Sequence, residues 1–217
     1  MNFKCIFFDF DGVIIKNSQI MFLEIMQEHM HKCGLNLQLP YYINNFLGLK
    51  GESIASNINL NYNFQVTSFD LKEIREKYKA SLIQNLELDS SILELLQKVE
   101  TCYICSSNNN QFINQVLIKA NLKTYFPDEN IFSLENTIKI KPDPMVYLNA
   151  LKHSKLSHDK CCAIEDSITG VIAAKKSGLY TFGYVGSLPE NLKYNYIKSL
   201  EAAGADKVIN SFSEILI

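Results

Sequence analysis

The sequence predicts an α/β fold in which a doubly wound, Rossmann-like parallel sheet is interrupted by an inserted helical domain. Short apolar runs indicate the sheet: one lies at residues 5–8, and from Thr101 onward similar runs alternate with helical patterns. This alternation of strand and helix is typical of a parallel sheet with crossover helices. The residues between these two regions have helical periodicity, which favours an insertion into the sheet.

The predicted elements follow one another in a simple order. The first strand is CIFF at residues 5–8, and three helical patterns come next: SQIMFLEIMQEHMHKCG from Ser18, FDLKEIREKYKASLIQNL with Asp70 as its predicted N-cap, and DSSILELLQKVE. Further strands are predicted in CYICSS, CCAIED, LYTFGYVG and ADKVIN. Residues 1–16 and 99–217 are therefore assigned to the core, and residues 17–98 to the helical domain.

Composition and charge are those of an ordinary globular chain. Of the 217 residues, 47% are hydrophobic and 20% are charged, and the formal net charge is −2. The sequence contains no basic cluster of the kind that binds nucleic acid, so we expect no nucleic-acid partner. Neither a signal peptide nor an apolar run of about 18 residues is seen. We expect a cytoplasmic protein that does not associate with membranes and is a monomer or a weak dimer.

The six cysteines predict free thiols, since no secretory signal accompanies them. Cys102 and Cys105 have the spacing of half a zinc site, but residues three apart in a strand point to opposite faces, so buried core thiols are expected. His29 and Cys33 are four residues apart on a predicted helix. No second ligand pair is visible beside them in the sequence, so a structural role is expected there too.

Polar side chains collect where the predicted core strands end. Taken singly, each fits a plain structural role, such as a turn at Asp11 or a helix N-cap at Ser167. Taken together, they fall at the carboxyl ends of parallel strands, where ligands bind in this class of fold. The residues are Asp9, Asp11, Ser106, Ser107, Asn108, Glu165 and Asp166, with Lys141 just before a helix in KIKPDP.

The chemistry of this set indicates phosphoryl transfer. Carboxylates without histidine or cysteine form a hard oxygen site that suits Mg²⁺, and the ion would relieve the repulsion between Asp9 and Asp11. A carboxylate can attack phosphorus to form an aspartyl-phosphate, while a second acid protonates the leaving alcohol and later activates water. Lys141 and Ser106 would hold the phosphoryl oxygens.

Four stretches of the chain resemble, in order and spacing, the motifs of the haloacid dehalogenase-like phosphohydrolase superfamily. They are DFDGV, ICSSN, Lys141 in IKPDP, and AIEDSITGVIAAKKSGL. The last contains the long pattern EDSxxGxxAAxxxG, which is far more specific than a lone DxD. The helical insert resembles the helical cap of the branch that contains β-phosphoglucomutase and sugar phosphatases. The resemblance implies a Rossmann-like catalytic core with a cap, and the activity of a magnesium-dependent phosphatase.

The resemblance also implies roles for the individual residues. Asp9 would be the nucleophile, and Asp11 the general acid and base, an acid that the dehalogenase branch lacks. Mg²⁺ would be held by the Asp9 carboxylate, the Asp11 backbone carbonyl and Asp166. Glu165 would lie beside the ion and bind it directly or through water. The phosphoryl group would be bound by Ser106, Ser107, Asn108 and Lys141, of which Lys141 would also act in catalysis.

The cap usually sets the substrate in this superfamily. FLGLKGES resembles its substrate loop, with Gly48 and Lys50 as candidate contacts, and YFPDENIFSLENTIKIKPDP is similar to phosphatases of small sugar and sugar-acid phosphates such as 6-phosphogluconate. A phosphohexomutase of the β-phosphoglucomutase type is one alternative, but Met21 and Gly51 stand where such mutases carry a histidine and an arginine. A catalytically silent phospholigand-binding protein is another. We expect a phosphatase of small phosphorylated metabolites.

Overall fold

The computed structural model describes residues 3–133, 135 and 139–216. The chain divides into two compact units, one formed by Met1–Lys16 with Leu86–Ile217 and the other by Asn17–Asn85. Residues 134 and 136–138, within the stretch that resembles sugar-phosphate phosphatases, lie outside the described part. No helix among the described residues is both long enough and apolar enough to cross a bilayer.

The first unit is built on a parallel sheet, which confirms the predicted fold class. Its strands within the described residues are β1 (Cys5–Phe8), β2 (Thr101–Cys105), β3 (Ile131–Phe132), β4 (Cys161–Glu165), β5 (Tyr180–Tyr184) and β6 (Lys207–Ile209). They pair in the order β3-β2-β1-β4-β5-β6, and each pair is parallel. The sequence pattern did not predict β3, because two residues are too few to show a period.

The helices of this unit connect the strands, as the alternating pattern predicted. They are α5 (Ile92–Lys98), α6 (Asn110–Lys119), α7 (Met145–Ser154), α8 (Ile168–Lys176) and α9 (Glu190–Ala202). Their numbering starts at five because the four preceding helices belong to the second unit. A buried apolar cluster joins one face of β1, β2 and β4 to α7 and α8. Phe7 of β1, Ala163 of β4 and Ala150 of α7 belong to it, and all three are fully buried.

Strand register brings the ends of the three central strands level. Phe8 of β1 lies beside Ile104 of β2 and Ile164 of β4. Residue 9 therefore lies between Cys105 and Glu165 at one edge of the sheet. Because side chains alternate along a strand, residues 9 and 165 continue the face that carries Phe7 and Ala163, the face covered by α7.

The chain re-enters the first unit at Leu86 rather than at residue 99. The segment before α5 is held to that unit by side chains: the Tyr184 hydroxyl donates to Asp89 at 2.6 Å, and the Ser91 and Ser211 hydroxyls lie 3.0 Å apart. Helical periodicity locates an apolar face but does not say which core that face packs against. Because α5 follows the other helical patterns directly, the sequence analysis assigned it to the helical domain, although it packs on the core.

The second unit consists of helices, as predicted. They are α1 (Ser18–Lys32), α2 (Leu39–Phe46), α3 (Gly51–Asn61) and α4 (Ser68–Gln84). The N-cap of α4 is Thr67 rather than the predicted Asp70, which instead completes a capping box as the third helical residue. The Thr67 side chain accepts from the Asp70 N–H, and Asp70 accepts from the Thr67 N–H, so both residues satisfy the helix start.

All six cysteines fall within the described residues, and all are free thiols, as predicted. Cys102 and Cys105 are buried core residues. Cys33 is exposed.

Candidate active site

The ammonium group of Lys141 connects the ends of the three central strands. Its Nζ donates to Oδ1 of Asp9 after β1, to the carbonyl oxygen of Cys105 in β2 at 2.8 Å, and to Oε1 of Glu165 in β4 at 2.6 Å. Lys141 is only 6% exposed, and Glu165 is fully buried. A residue from the loop before α7 is thus fixed at the point where β2, β1 and β4 end side by side.

The backbone explains why these groups converge. The Asp9 N–H donates to the Ile164 carbonyl at 2.9 Å, so the β1–β4 ladder continues one residue past the strand. In the same way, the Ser106 N–H donates to the Phe132 carbonyl at 2.9 Å, beyond the end of β2. Backbone hydrogen bonds therefore anchor Asp9 and Ser106 to the sheet although both lie in loops.

Tyr147 was not predicted as a site residue, yet it completes this arrangement. Its hydroxyl donates to Oε1 of Glu165 at 2.5 Å, and its ring lies 5.1 Å from the Lys141 ammonium. Both contacts fix Glu165 and Lys141 relative to each other. In the sequence, Tyr147 belongs to the apolar stripe of α7 and is indistinguishable there from an ordinary core aromatic residue.

Burial and the neighbouring charges together shift the pKa values of Lys141, Glu165 and Tyr147. Burial alone would lower the pKa of Lys141, but the neighbouring Asp9 and Glu165 carboxylates raise it above its usual range, so the ammonium stays charged. Burial raises the pKa of Glu165 above its usual range, although Lys141 favours its ionised form. Burial and the nearby Glu165 also raise the pKa of Tyr147, so its hydroxyl remains a donor.

Asp11 lies in a tight turn directly after Asp9. The Gly12 N–H donates to the Ile15 carbonyl at 2.9 Å, and Gly12 has the left-handed φ of 77° that the turn requires. Oδ2 of Asp11 accepts from the Asn108 side-chain amide at 2.5 Å. The predicted residues Asp11 and Asn108 are therefore brought together, and the amide orients the carboxylate.

The serines that follow β2 occupy different positions. Ser106 is buried, and its hydroxyl accepts from the Asn108 N–H at 3.0 Å, which shapes the loop between them. Ser107 is half-buried in the same loop. Ser187, which was not predicted, is buried and donates from its hydroxyl to the Gly12 carbonyl at 2.5 Å. It lies after β5, where no motif marked it.

Asp166 lies against the turn that contains Asp11. A Cβ atom on Gly12 would overlap the Asp166 carboxylate. The backbone of the turn is therefore so close to that carboxylate that only glycine fits at residue 12. Asp166 is 5% exposed. Side-chain oxygens of Asp9, Glu165 and Asp166 all lie within 4.8 Å of one another.

This cluster has the donors that a hard divalent cation requires. Side-chain oxygens of three buried carboxyl groups, of Asp9, Glu165 and Asp166, lie close together here, and Lys141 forms ion pairs with Asp9 and Glu165. Oxygen donors without nitrogen or sulfur suit Mg²⁺ rather than zinc. A divalent cation favours carboxyl groups this close together, because it offsets the repulsion between them. The residues present therefore fit a magnesium ion.

The candidate cap residues lie in the second unit. Gly48 and Lys50 are half-buried in the loop between α2 and α3, and Gly48 has a left-handed φ of 78°. Their role as substrate contacts stays a prediction.

A family model described as haloacid dehalogenase-like hydrolase matches residues 6–184. The match begins in β1 and ends with the last residue of β5, so it includes every core site residue that the sequence predicted, but not Ser187.

Curated relatives of the chain carry phosphatase names. The 6-phosphogluconate phosphatase of Escherichia coli (strain K12) is 23% identical over 194 residues, which cover 87% of this chain and 85% of the relative. A phosphorylated carbohydrates phosphatase of Thermotoga maritima is 28% identical over 156 residues, which cover 67% of this chain and 68% of the relative. Both alignments extend over most of each protein.

A solved structure has the same fold. It is a conserved haloacid dehalogenase-like protein of unknown function from Agrobacterium tumefaciens str. C58, with a TM-score of 0.85 and 23% identity. The superposition covers 96% of this chain and 94% of that one.

Proposed function

Since the chain belongs to the haloacid dehalogenase-like hydrolase family, we propose that it is a magnesium-dependent phosphatase of small phosphorylated metabolites that acts through an aspartyl-phosphate. Family membership confirms the predicted superfamily, and the names of the relatives agree with the predicted hydrolase class. One observation carries the mechanistic proposal: a buried lysine holds one oxygen of the Asp9 carboxylate at the end of the central strand. This contact supports the proposal that Asp9 is the nucleophile.

In the first step, Asp9 attacks the substrate phosphorus. Its carboxylate forms an O–P bond while the bond from phosphorus to the substrate oxygen breaks. Asp11 gives its proton to the departing oxygen, and the Asn108 amide holds Asp11 in place for this transfer. The products of this step are a free alcohol and an aspartyl-phosphate at Asp9.

In the second step, Asp11, now a carboxylate, takes a proton from water as that water attacks the phosphorus. The bond between phosphorus and the Asp9 oxygen breaks, which releases inorganic phosphate and restores Asp9. Lys141 keeps its positive charge through both steps. Held beside Asp9, that charge stabilises the negative charge that accumulates on the phosphoryl oxygens. Ser106 and the N–H groups of its loop bind the same oxygens.

The metal ion belongs with the acidic residues of this site. Asp9, Asp166 and the Asp11 carbonyl would hold Mg²⁺, which when bound would draw negative charge away from the phosphoryl group. Glu165 acts mainly on Lys141, because its oxygens already accept from Lys141, Tyr147 and Ser167. Its negative charge adds to the attraction for the ion without requiring direct ligation.

The substrate class is supported by the curated relatives. Their names, 6-phosphogluconate phosphatase and phosphorylated carbohydrates phosphatase, favour sugar and sugar-acid phosphates for this chain. Gly48 and Lys50 are the residues that we propose to contact the sugar.

The test is phosphate release from a panel of sugar phosphates that includes 6-phosphogluconate. Release should require Mg²⁺, stop with a chelator, and be absent in Asp9→Asn. Rapid interconversion of sugar phosphates without release would indicate a mutase. Binding of sugar phosphate with neither reaction would indicate a silent binding protein.

A further inference from the structure

We propose a zinc site in the helical unit, formed by His29, Cys33, Asp70 and Glu73. His29 and Cys33 lie one turn apart at the end of α1, and Asp70 and Glu73 lie near the start of α4. The sequence shows only the first pair. The second pair, Asp70 and Glu73, comes close because α4 packs against α1, although Asp70 is 41 residues from His29 in the chain. No step of the proposed phosphatase reaction uses any of these residues.

The ligand atoms are already close together. Nε2 of His29 lies 2.9 Å from Oδ1 of Asp70 and 4.0 Å from Oε2 of Glu73, and Sγ of Cys33 lies 4.0 Å from the same Asp70 oxygen. Nitrogen, sulfur and oxygen ligands around a tetrahedral zinc ion lie about 3.3–3.6 Å from one another. The ligand atoms of His29, Cys33 and Asp70 all lie within 4.8 Å of one another, so small side-chain rotations bring these three into that range. The Glu73 side chain is 51% exposed and would complete the site by turning toward them.

The donor types favour zinc over the hard cations. Imidazole nitrogen and thiolate sulfur are preferred ligands of Zn²⁺ and poor ligands of Mg²⁺. The two carboxylates provide the remaining ligands and the negative charge. This set differs in kind from the all-oxygen cluster at the strand ends, so the two sites select different metals.

Asp70 is held in the orientation that the site needs. Its Oδ2 accepts from the N–H and the hydroxyl of Thr67 at 2.8 and 2.6 Å, and this capping box directs Oδ1 toward His29 and Cys33. The His29 and Asp70 side chains are 19% and 17% exposed, and Cys33 is exposed. An ion can therefore enter without unfolding the helices.

Bound zinc would replace the hydrogen bond between His29 and Asp70 with metal bonds, and Cys33 would release its thiol proton. The ion would then join the end of α1 to the start of α4. Its predicted effect is to stabilise the helical unit.

The test uses the full chain, reduced and freed of metal, in excess Mg²⁺ so that the oxygen cluster is occupied. Co²⁺ serves as the spectroscopic probe, since cobalt bound to a thiolate gives a charge-transfer absorption, and Zn²⁺ should abolish that absorption by displacement. We expect saturation at about one equivalent of Co²⁺ per chain. The absorption should be lost in Cys33→Ser, an exposed position where the substitution does not disturb packing.

His29→Gln and His31→Gln form a matched pair, because both histidines lie in the last turn of α1 and only His29 faces Asp70. We expect His29→Gln to weaken Co²⁺ binding by at least about tenfold and His31→Gln to leave it unchanged. Zinc should raise the melting temperature of the His31→Gln protein but not that of His29→Gln. No thiolate absorption in the wild type, its persistence in Cys33→Ser, or equal affinity in the two histidine variants would each overturn the proposal.

Discussion

Nζ of Lys141 lies 2.6 Å from Oε1 of Glu165 in a site almost closed to solvent, and the same nitrogen donates to the Asp9 carboxylate. The lysine therefore compensates two buried acids at once, at the ends of adjacent strands. Removing one partner of such a pair leaves the other as a buried charge without compensation, which is more costly than the pair's net contribution. The stability of the fold and the proposed catalysis would therefore depend on the same few contacts.

Lys141→Ala should affect both properties. Because Asp9 and Glu165 lose their shared cation, we expect a decrease of about 3–5 kcal/mol in the free energy of unfolding. The lost charge beside the phosphoryl oxygens should lower kcat/KM by about 10²–10³-fold. Urea unfolding and steady-state kinetics measure the two effects. Lys139→Ala is the control, since that side chain is 58% exposed and pairs with Asp143 at the surface. Wild-type kinetics in Lys141→Ala would contradict the assigned role.

Asp9→Asn and Asp11→Asn should differ in a way that identifies the nucleophile and the acid. Asp9→Asn should lose about 10⁴-fold or more of kcat, the scale seen when a nucleophile is removed. Asp11→Asn should lose about 10²–10⁴-fold on a sugar phosphate. With an aryl phosphate, whose leaving group needs little protonation, the first step should be much less impaired. Rapid-quench measurement of the phenol burst tests this. An equal loss on both substrates would argue against Asp11 as the acid.

Asp89 should make stability depend on pH in acid. Burial would raise its pKa, but hydrogen bonds from Ser91 and Tyr184 lower it below the ordinary 3.8. A carboxylate whose folded-state pKa is depressed stabilises the protein above the unfolded pKa, and that contribution is lost as the pH falls through the folded value. We expect Asp89→Asn to cost about 1–3 kcal/mol at pH 7. Its difference from wild type should shrink below pH 3.8.

Urea unfolding across pH 2.5–7 measures this difference for Asp89→Asn and for Glu94→Gln, an exposed carboxylate on α5 that serves as the control. A difference that stays constant down to the lowest pH would show that Asp89 acts through packing and not through its charge.

The sequence predicted that Asp9, Glu165 and Asp166 lie together, because the end of a strand can be recognised from the pattern and a parallel sheet brings such ends to one edge. Asp9, Ser106 and Glu165 all follow apolar runs. The contacts of Tyr147 and Ser187 were not predictable. Each depends on the three-dimensional packing of an element whose local pattern indicates only core or loop. The proposed zinc ligands show the same limit, since helical periodicity reveals the pair His29 and Cys33 but not the helix that packs against it.

Gly170 should be irreplaceable because of the Glu165 side chain. A Cβ atom at residue 170, in the first turn of α8, would overlap the Glu165 carboxylate. At an ordinary helical position, Gly→Ala stabilises a protein by about 0.4–1 kcal/mol. Here we expect the opposite sign, because Glu165 must move away from Lys141 and Tyr147. Gly170→Ala should lower both the free energy of unfolding and kcat/KM.

A double-mutant cycle identifies the cause of this effect. Glu165→Asp shortens the carboxylate side chain and makes room for a methyl group, so Gly170→Ala should cost clearly less in the Glu165→Asp background than in the wild type. Chemical unfolding of the four proteins gives the coupling. If Gly170→Ala is as stable as the wild type, or if its cost is the same in both backgrounds, the overlap with Glu165 is not what requires a glycine at this position.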